Sequence, residues 1–358
     1  MKKEARRARH LAAVGLTAAL AAAPLAPADA STNDDSLGAA YAAAAKQYDV
    51  PRDLLVAMGW SETRLDGHHG RPSQANGFGI MHLVSHPGQH TLERAAGLTG
   101  LSKAQLRRDD TANIRGAAAV VDALAEDRGL SRADRDDLSS WLPLLEDYAG
   151  TKGAVTRSYV EGVVDVLEEG LRTNVGTERI TVRRHDVDES AALRELPSTK
   201  AADVDQPGAL WAPASTSNYR AGRTATIDQV VIHVTQGSYA GSISWFQNPA
   251  AEVSAHYVIR SSDGQVTQTV READTAWHAG STNSRSVGIE HEGYVDDASW
   301  FTESLYRSSA EVVKGIASRH GIPLDRQHVI GHSEAPGATH TDPGPNWDWD
   351  HYMALVNG

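Results

Sequence analysis

The hydrophobic rhythm of the chain changes near its middle. Over residues 31–170 apolar positions recur at helical spacing. Pro51 suits the first turn of a helix that carries Leu54, Leu55 and Met58, the stretch 114–124 repeats the period, and 155–171 repeats it again. Beyond Arg172 the period is lost, charges become frequent, and Pro197, Ser198 and Thr199 cluster, so 172–205 reads as a linker. The pattern that follows is of another kind. Residues 227–235 are a β-branched run suited to a buried strand, and 253–259 and 265–270 flank Ser262-Asp263-Gly264, a hairpin signal. Residues 286–290 and 327–331 read as further strands. An amphipathic helix is predicted over 302–320, stopped by Gly321 and Pro323, and a last short helix over 347–356. The pattern predicts a multidomain chain: an all-α domain over 31–171, the linker, and an α/β domain with a central sheet over 206–358.

Residues 1–30 stand outside this scheme. Lys2, Lys3, Arg6, Arg7 and Arg9 precede an apolar run over 11–23, and Ala28-Asp29-Ala30 offers a small-residue cleavage site, the anatomy of a signal peptide. The run is short for a bilayer span, so the mature chain is expected to be secreted or associated with the cell wall, with no stable membrane span. The formal charge is -12, and near -15 once the five basic and two acidic side chains of 1–30 are removed. Such a surface argues against a nucleic-acid partner and against simple adhesion to anionic wall polymers. The chain has no cysteine, so a metal site would have to use His, Asp or Glu.

Three such residues form the sharpest pattern. His233 ends the strand run, His332 follows a second strand in Ile330-Gly331-His332-Ser333-Glu334, and Asp342 sits in a proline-stiffened loop ten residues on. Two imidazoles and one carboxylate match a catalytic zinc site that keeps its fourth position open. Spacing alone selects them only weakly, since this half holds nine histidines.

Six stretches carry a resemblance: Val231-Ile232-His233-Val234-Thr235, Val253-Ser254-Ala255-His256-Tyr257-Val258-Ile259, Ala276-Trp277-His278-Ala279-Gly280, Ser286-Val287-Gly288-Ile289-Glu290, Ile330-Gly331-His332-Ser333-Glu334 and Thr341-Asp342-Pro343-Gly344-Pro345. In this order they resemble the zinc N-acetylmuramoyl-L-alanine amidases related to peptidoglycan recognition proteins and a phage lysozyme. The resemblance implies a mixed central sheet flanked by helices, one zinc ion held by His233, His332 and Asp342, and hydrolysis of the amide between muramic acid and L-alanine in peptidoglycan. It places Glu290 at the family's catalytic glutamate. His340 stands where many relatives have a lysine, with a role at the oxyanion. His256, Trp277 and His278 are expected to line the groove, a core position being the alternative for Trp277. A recognition protein that binds peptidoglycan without cutting it is the competing reading, against which the complete ligand set argues.

The helical half carries a looser resemblance. Residues 48–63, Gly77-Phe78-Gly79-Ile80-Met81-His82-Leu83, Asn113-Ile114-Arg115-Gly116-Ala117 and Tyr148-Ala149-Gly150 resemble lysozyme-like lytic transglycosylases, which implies Glu62 as an acid for glycan cleavage. Thr63 stands where the family usually has Ser, His82 where it has Gln, and the Tyr-Asn-Ala-Gly stretch is reduced to Asp147-Tyr148-Ala149-Gly150. A bifunctional wall hydrolase, a wall-binding half and a helical spacer all remain open on these residues.

Overall fold

The computed structural model describes residues 36–194 and 204–358, so the export segment expected at 1–30 lies outside the described residues. Four long helices organise the first half: α1 (Leu37–Tyr48), α2 (Arg52–Thr63), α3 (Asp110–Asp127) and α4 (Ala154–Glu169), with shorter helices between. Helix α1 starts where Ser36 Oγ accepts from Ala39 N at 3.2 Å, satisfying one of the orphan donors of the first turn. Helix α2 begins directly after Pro51 and buries Leu54, Leu55 and Met58 completely.

The second half is built on a six-stranded mixed sheet. Its strands are β1 (Leu210–Trp211), β2 (Gln229–Val234), β3 (Tyr257–Ile259), β4 (Val266–Gln268), β5 (Ser286–His291) and β6 (Val329–Gly331), in the spatial order β6-β2-β5-β3-β4-β1. Only β3 and β4 pair antiparallel, as the hairpin signal around Asp263 requires; the other pairs are parallel. The side chains of β2 divide between the faces. Val230, Ile232 and Val234 join one apolar cluster with α6 (Glu303–His320) and α7 (Trp349–Asn357), while Val231 lies in a separate small cluster with Ile330. Helix α6 opens on Thr302, whose Oγ1 accepts from Leu305 N, and closes on Gly321 at φ 70°, the left-handed turn for which glycine pays no steric cost.

Two features differ from the sequence reading. The stretch 172–205, read as a linker, holds an antiparallel hairpin of Leu171–Val175 with Glu178–Val182. Its alternation is too short and too charged to stand out, yet Ile180 and Val182 enter the core. Glu178 accepts from the backbone N–H groups of Leu37 and Gly38, both at 2.7 Å, placing a carboxylate on the positive end of α1. The two halves also share a core. Helix α5 (Tyr239–Gln247) puts Tyr239, Ile243 and Phe246 into the same cluster as Leu54, Leu55, Ile114 and Val163, and the described residues form one compact unit. Polar ties follow the same seam: Arg64 donates to Ser261 Oγ at 2.8 Å and lies over the Trp300 ring, and His68 stacks on Tyr294 at 3.5 Å. Among the described residues no helix is long and apolar enough to cross a membrane.

Candidate metal and catalytic site

The site lies across the carboxyl ends of three adjacent parallel strands, where open α/β sheets present their ligands. His233 on β2 pairs with Glu290 on β5, so both side chains leave the same face at the same level. Gly331 on β6 pairs with Ile232, which brings the next residue, His332, level with His233. Asp342 is delivered by the loop that follows. His233 Nδ1 lies 3.1 Å from His332 Nδ1 and 3.1 Å from Asp342 Oδ2, and His332 Nδ1 lies 3.1 Å from Asp342 Oδ1. All three residues are buried.

This donor set fits a small divalent cation. Ligand atoms each about 2.0–2.1 Å from one tetrahedral ion stand about 3.3 Å from one another. The observed separations approach that value, and two imidazole nitrogens facing each other with a carboxylate between them are better reconciled by a cation than by one shared proton. The charge states agree. Burial holds His233 below its ordinary pKa and so neutral. Burial alone would raise Asp342, but hydrogen bonds from His233 and His332 outweigh it and hold the carboxyl far down the scale, charged. A neutral imidazole and an ionised carboxylate are the forms that bind metal.

His278 supports the cluster. Its Nδ1 lies 3.0 Å from His233 Nε2, and its Nε2 lies 3.2 Å from Ser286 Oγ. Burial, and then the neighbouring His233, push its pKa well down, so the ring is neutral; were a cation to take the place of the His233 Nδ1 proton, His233 would carry its proton on Nε2 and donate it to His278 Nδ1. The sequence reading expected His278 in the groove wall; the structure places it there and also behind His233. His291 backs the strand instead: its ring bridges the His233 carbonyl oxygen and Ser309 Oγ, each at 2.7 Å.

His233, His332, Asp342, Glu290, His340, Trp277 and His278 line one cavity of ≈ 430 Å³, with Phe246 and Val253 among its apolar walls. Trp277 is half-exposed at its rim and not a core aromatic. His340 is exposed, its ring 5.1 Å from that of His332. Glu290 is 4 % exposed, and burial first, then the Asp342 carboxylate, push its pKa well above the ordinary carboxylate value in the metal-free protein. His256 departs from expectation. It is absent from the cavity wall and fully buried, its Nδ1 accepting from Gly288 N at 3.0 Å and its Nε2 lying 2.7 Å from the Arg223 guanidinium. Burial and the Arg223 charge bring its pKa to about 3, so His256 is a structural ring between strands.

Pro72, Ser73 and Gln74 of the helical half also line this cavity. No sequence signal marked them, because a short polar loop has no periodicity to betray what it covers. Glu62 lies elsewhere. It is 4 % exposed, accepts from Ser238 Oγ at 2.8 Å, and sits 3.3 Å from His82 Nδ1 at the seam of the two halves. Glu62 does not line the cavity that holds His233, His332 and Asp342.

Comparison with known proteins bears on the second half. Residues 223–345 match the family described as N-acetylmuramoyl-L-alanine amidase. N-acetylmuramoyl-L-alanine amidase A of Achromobacter lyticus is 43% identical over 172 residues, covering 43% of this chain and 97% of that protein. The 1,6-anhydro-N-acetylmuramyl-L-alanine amidase AmpD of Citrobacter freundii is 37% identical over 112 residues, 29% of this chain and 57% of that one. A crystal structure of a selenomethionine AmpD derivative aligns at 28% identity with a TM-score of 0.36, over 44% of this chain and 99% of that chain. Because nearly the whole of a relative at 43% identity is contained in it, the chain belongs to the N-acetylmuramoyl-L-alanine amidase family.

Proposed function

We propose that this protein is a zinc-dependent peptidoglycan hydrolase that cuts the amide between the lactyl group of N-acetylmuramic acid and L-alanine. One observation carries the reading: in a chain of this family, two histidines and an aspartate from separate segments face one another at 3.1 Å in a cavity that also holds Glu290. His233, His332 and Asp342 would hold the ion. Zinc supplies Lewis acidity there, polarising a carbonyl and bringing the pKa of water to about 7.

The remaining steps belong to the chain's own groups. Glu290 takes a proton as water adds to the lactyl carbonyl carbon. His340, at the cavity edge, donates to the oxygen that gains negative charge. Glu290 then passes the proton to the alanine nitrogen as the C–N bond breaks, leaving a lactyl carboxylic acid and a free peptide amine. Trp277, Phe246 and Val253 give the cavity apolar surface against which the substrate can pack. Purified protein is expected to release peptides that begin with L-alanine, together with peptide-free glycan, and to lose this with chelator and regain it with zinc. Retention on wall material with neither product would favour the non-catalytic binding reading.

Two further readings belong here. Export rests on residues 1–30 alone, and secreted protein whose amino terminus is Ser31 would establish it. Glycan cleavage by Glu62 has the resemblance of the helical half in its favour and the burial of Glu62 against it. Anhydromuramic ends formed by the wild type and lost in Glu62→Gln would support it.

A further inference from the structure

A second groove opens beside the metal-binding cavity, and Trp277 belongs to the wall of both. Tyr219, Arg220, Thr224, Thr275 and Asn283 also line it, and no aspartate or glutamate does. That composition stands out in a chain with 46 Asp and Glu against 34 Lys and Arg. Arginines elsewhere on the surface are held by carboxylates, Arg71 by Asp296, Arg285 by Asp228 and Arg326 by Glu334. Arg220 is exposed and, among the described residues, has no carboxylate in ion-pair contact. One of its terminal nitrogens donates instead to two neutral oxygens, Thr224 Oγ1 and Thr275 Oγ1, each at 3.2 Å. These bonds fix the guanidinium without neutralising it, and the other terminal nitrogen and Nε keep their N–H groups for a ligand. Asp274, next to Thr275, commits Oδ1 to Gly222 N at 2.7 Å and lies outside the groove wall.

The groove is tied to the metal-binding cluster. Tyr219–Arg220 pairs antiparallel with Thr275–Ala276, directly before Trp277 and His278. From behind, Arg223 donates to the carbonyl oxygens of Glu272 at 2.5 Å, Asn283 at 3.2 Å and Ser286 at 2.9 Å. Asn283 Oδ1 accepts from His278 N at 3.0 Å and from Ala279 N at 2.6 Å, which fixes the amide and leaves Nδ2 as its remaining donor. The ring of His278 in turn meets His233.

A held guanidinium with unused N–H groups, an amide donor and an aromatic face suit a chain that carries a carboxylate. We infer that this groove is the subsite for the peptide side of the substrate, and that Arg220 pairs there with the α-carboxylate of the glutamate that follows the alanine. That glutamate is joined onward through its γ-carbonyl, so its α-carboxylate is the first negative charge beyond the scissile amide, about 7 Å away along an extended chain of about 3.5 Å per residue. Trp277 alone separates the groove from the cavity, so a peptide leaving the cavity along this side chain brings its charge toward Arg220. The inference rests on the reading of the protein as a muramoyl-L-alanine amidase. It makes Arg220 a specificity-determining residue, one that separates substrates with a free glutamate carboxylate from those in which it is amidated.

The test compares three soluble substrates with the zinc-loaded full chain: N-acetylmuramoyl-L-alanyl-γ-D-glutamyl-L-lysine, its glutamate α-amide and its C-terminal amide. A pair in an open groove is worth a few-fold, so KM for the parent should be about three- to fivefold below that for the glutamate amide at low salt. The ratio should shrink toward one at about 0.5 M salt, and the C-terminal amide should match the parent. Arg220→Gln should bring the ratio to about one, and Arg220→Lys should keep part of it. Calorimetry on the chelated, non-hydrolysing protein should repeat the same ratios as affinities. Equal values for the parent and the glutamate amide in the wild type would overturn the inference. So would a ratio that survives Arg220→Gln, or a preference set by the C-terminal carboxylate. Hydrolysis of none of the three would bring down the amidase reading instead, and the calorimetric ratios would still decide whether Arg220 meets the glutamate carboxylate.

Discussion

Glu62→Ala separates a catalytic glutamate from a structural one. In the structure Glu62 accepts a hydrogen bond from the Ser238 hydroxyl at 2.8 Å and faces His82 Nδ1 at 3.3 Å, and all three residues are buried. Truncation strands the buried Ser238 hydroxyl and removes the buried carboxylate that faces His82, and at about 1–3 kcal/mol for each, a loss of about 4 kcal/mol is expected. Over the roughly 310 described residues, an unfolding entropy of about 2.1 cal/mol/K per residue gives about 0.65 kcal/mol/K, which turns that loss into a fall in Tm of about 6 °C. The shared core makes a single transition the expected form of the melt, so differential scanning calorimetry reads the effect directly. Glu62→Gln keeps one acceptor oxygen and should fall by about a third as much. A solvent-facing catalytic acid would behave in the opposite way, its removal leaving Tm unchanged and abolishing glycan cleavage. A Tm within about 1 °C of the wild type for Glu62→Ala, with loss of anhydromuramic ends, would refute the structural argument.

Asp342→Ala removes the one negative charge of the cluster, so bound zinc measured by elemental analysis should fall from about one per chain to a small fraction, and amidase activity with it; wild-type metal content would contradict the ligand assignment. His278→Phe leaves His233 Nε2 without its acceptor, and zinc affinity in a chelator competition should weaken by about 10–100-fold with the metal still able to bind. Glu272 supplies an acid-stability test far from the metal. Burial alone would raise its pKa, but hydrogen bonds from Arg319, Tyr257 and His320 outweigh burial and hold it below the ordinary glutamate value. A depressed folded pKa contributes stability above the unfolded pKa of about 4.3 and loses it as pH falls through the folded value, so the Tm gap between wild type and Glu272→Gln should be widest near pH 6 and close below about pH 4. A gap that widened on acidification would show the sign to be wrong.

Much of this site was legible because it rides on strands. A β-branched run ending in His233, and a second strand ending at Gly331 before His332, place imidazoles at strand ends whatever the rest of the chain does, and the motif order supplied Asp342 and Glu290. His256 was misjudged for a related reason. It lies in a matching stretch, but one step before β3 its ring turns inward toward Gly288 and Arg223, and spacing along one strand does not tell which neighbour a side chain meets. The hairpin in 171–182 was hidden because its outward positions, Arg172, Asn174, Arg179 and Thr181, mix charged and neutral polar residues, and only Ile180 and Val182 are buried. The shared core was hidden more deeply. Tyr239, Ile243 and Phe246 have the spacing of an ordinary amphipathic helix, and nothing in that spacing says whether the partner is the helix's own sheet or a helix from the other half.

That ambiguity bears on what the helical half is for. A tethered wall-binding domain would keep its own core, meet its neighbour through a polar, moderate interface, and move relative to it. Here the apolar cluster is continuous, Glu62 and Ser238 bond across the seam while buried, and the seam ends in the loop that walls the cavity beside Glu290. A substitution at the seam therefore reaches the groove through packed, hydrogen-bonded neighbours and not through a flexible tether. Glu62 and His82 of the helical half sit in that seam, where they serve to hold two halves and a loop in register.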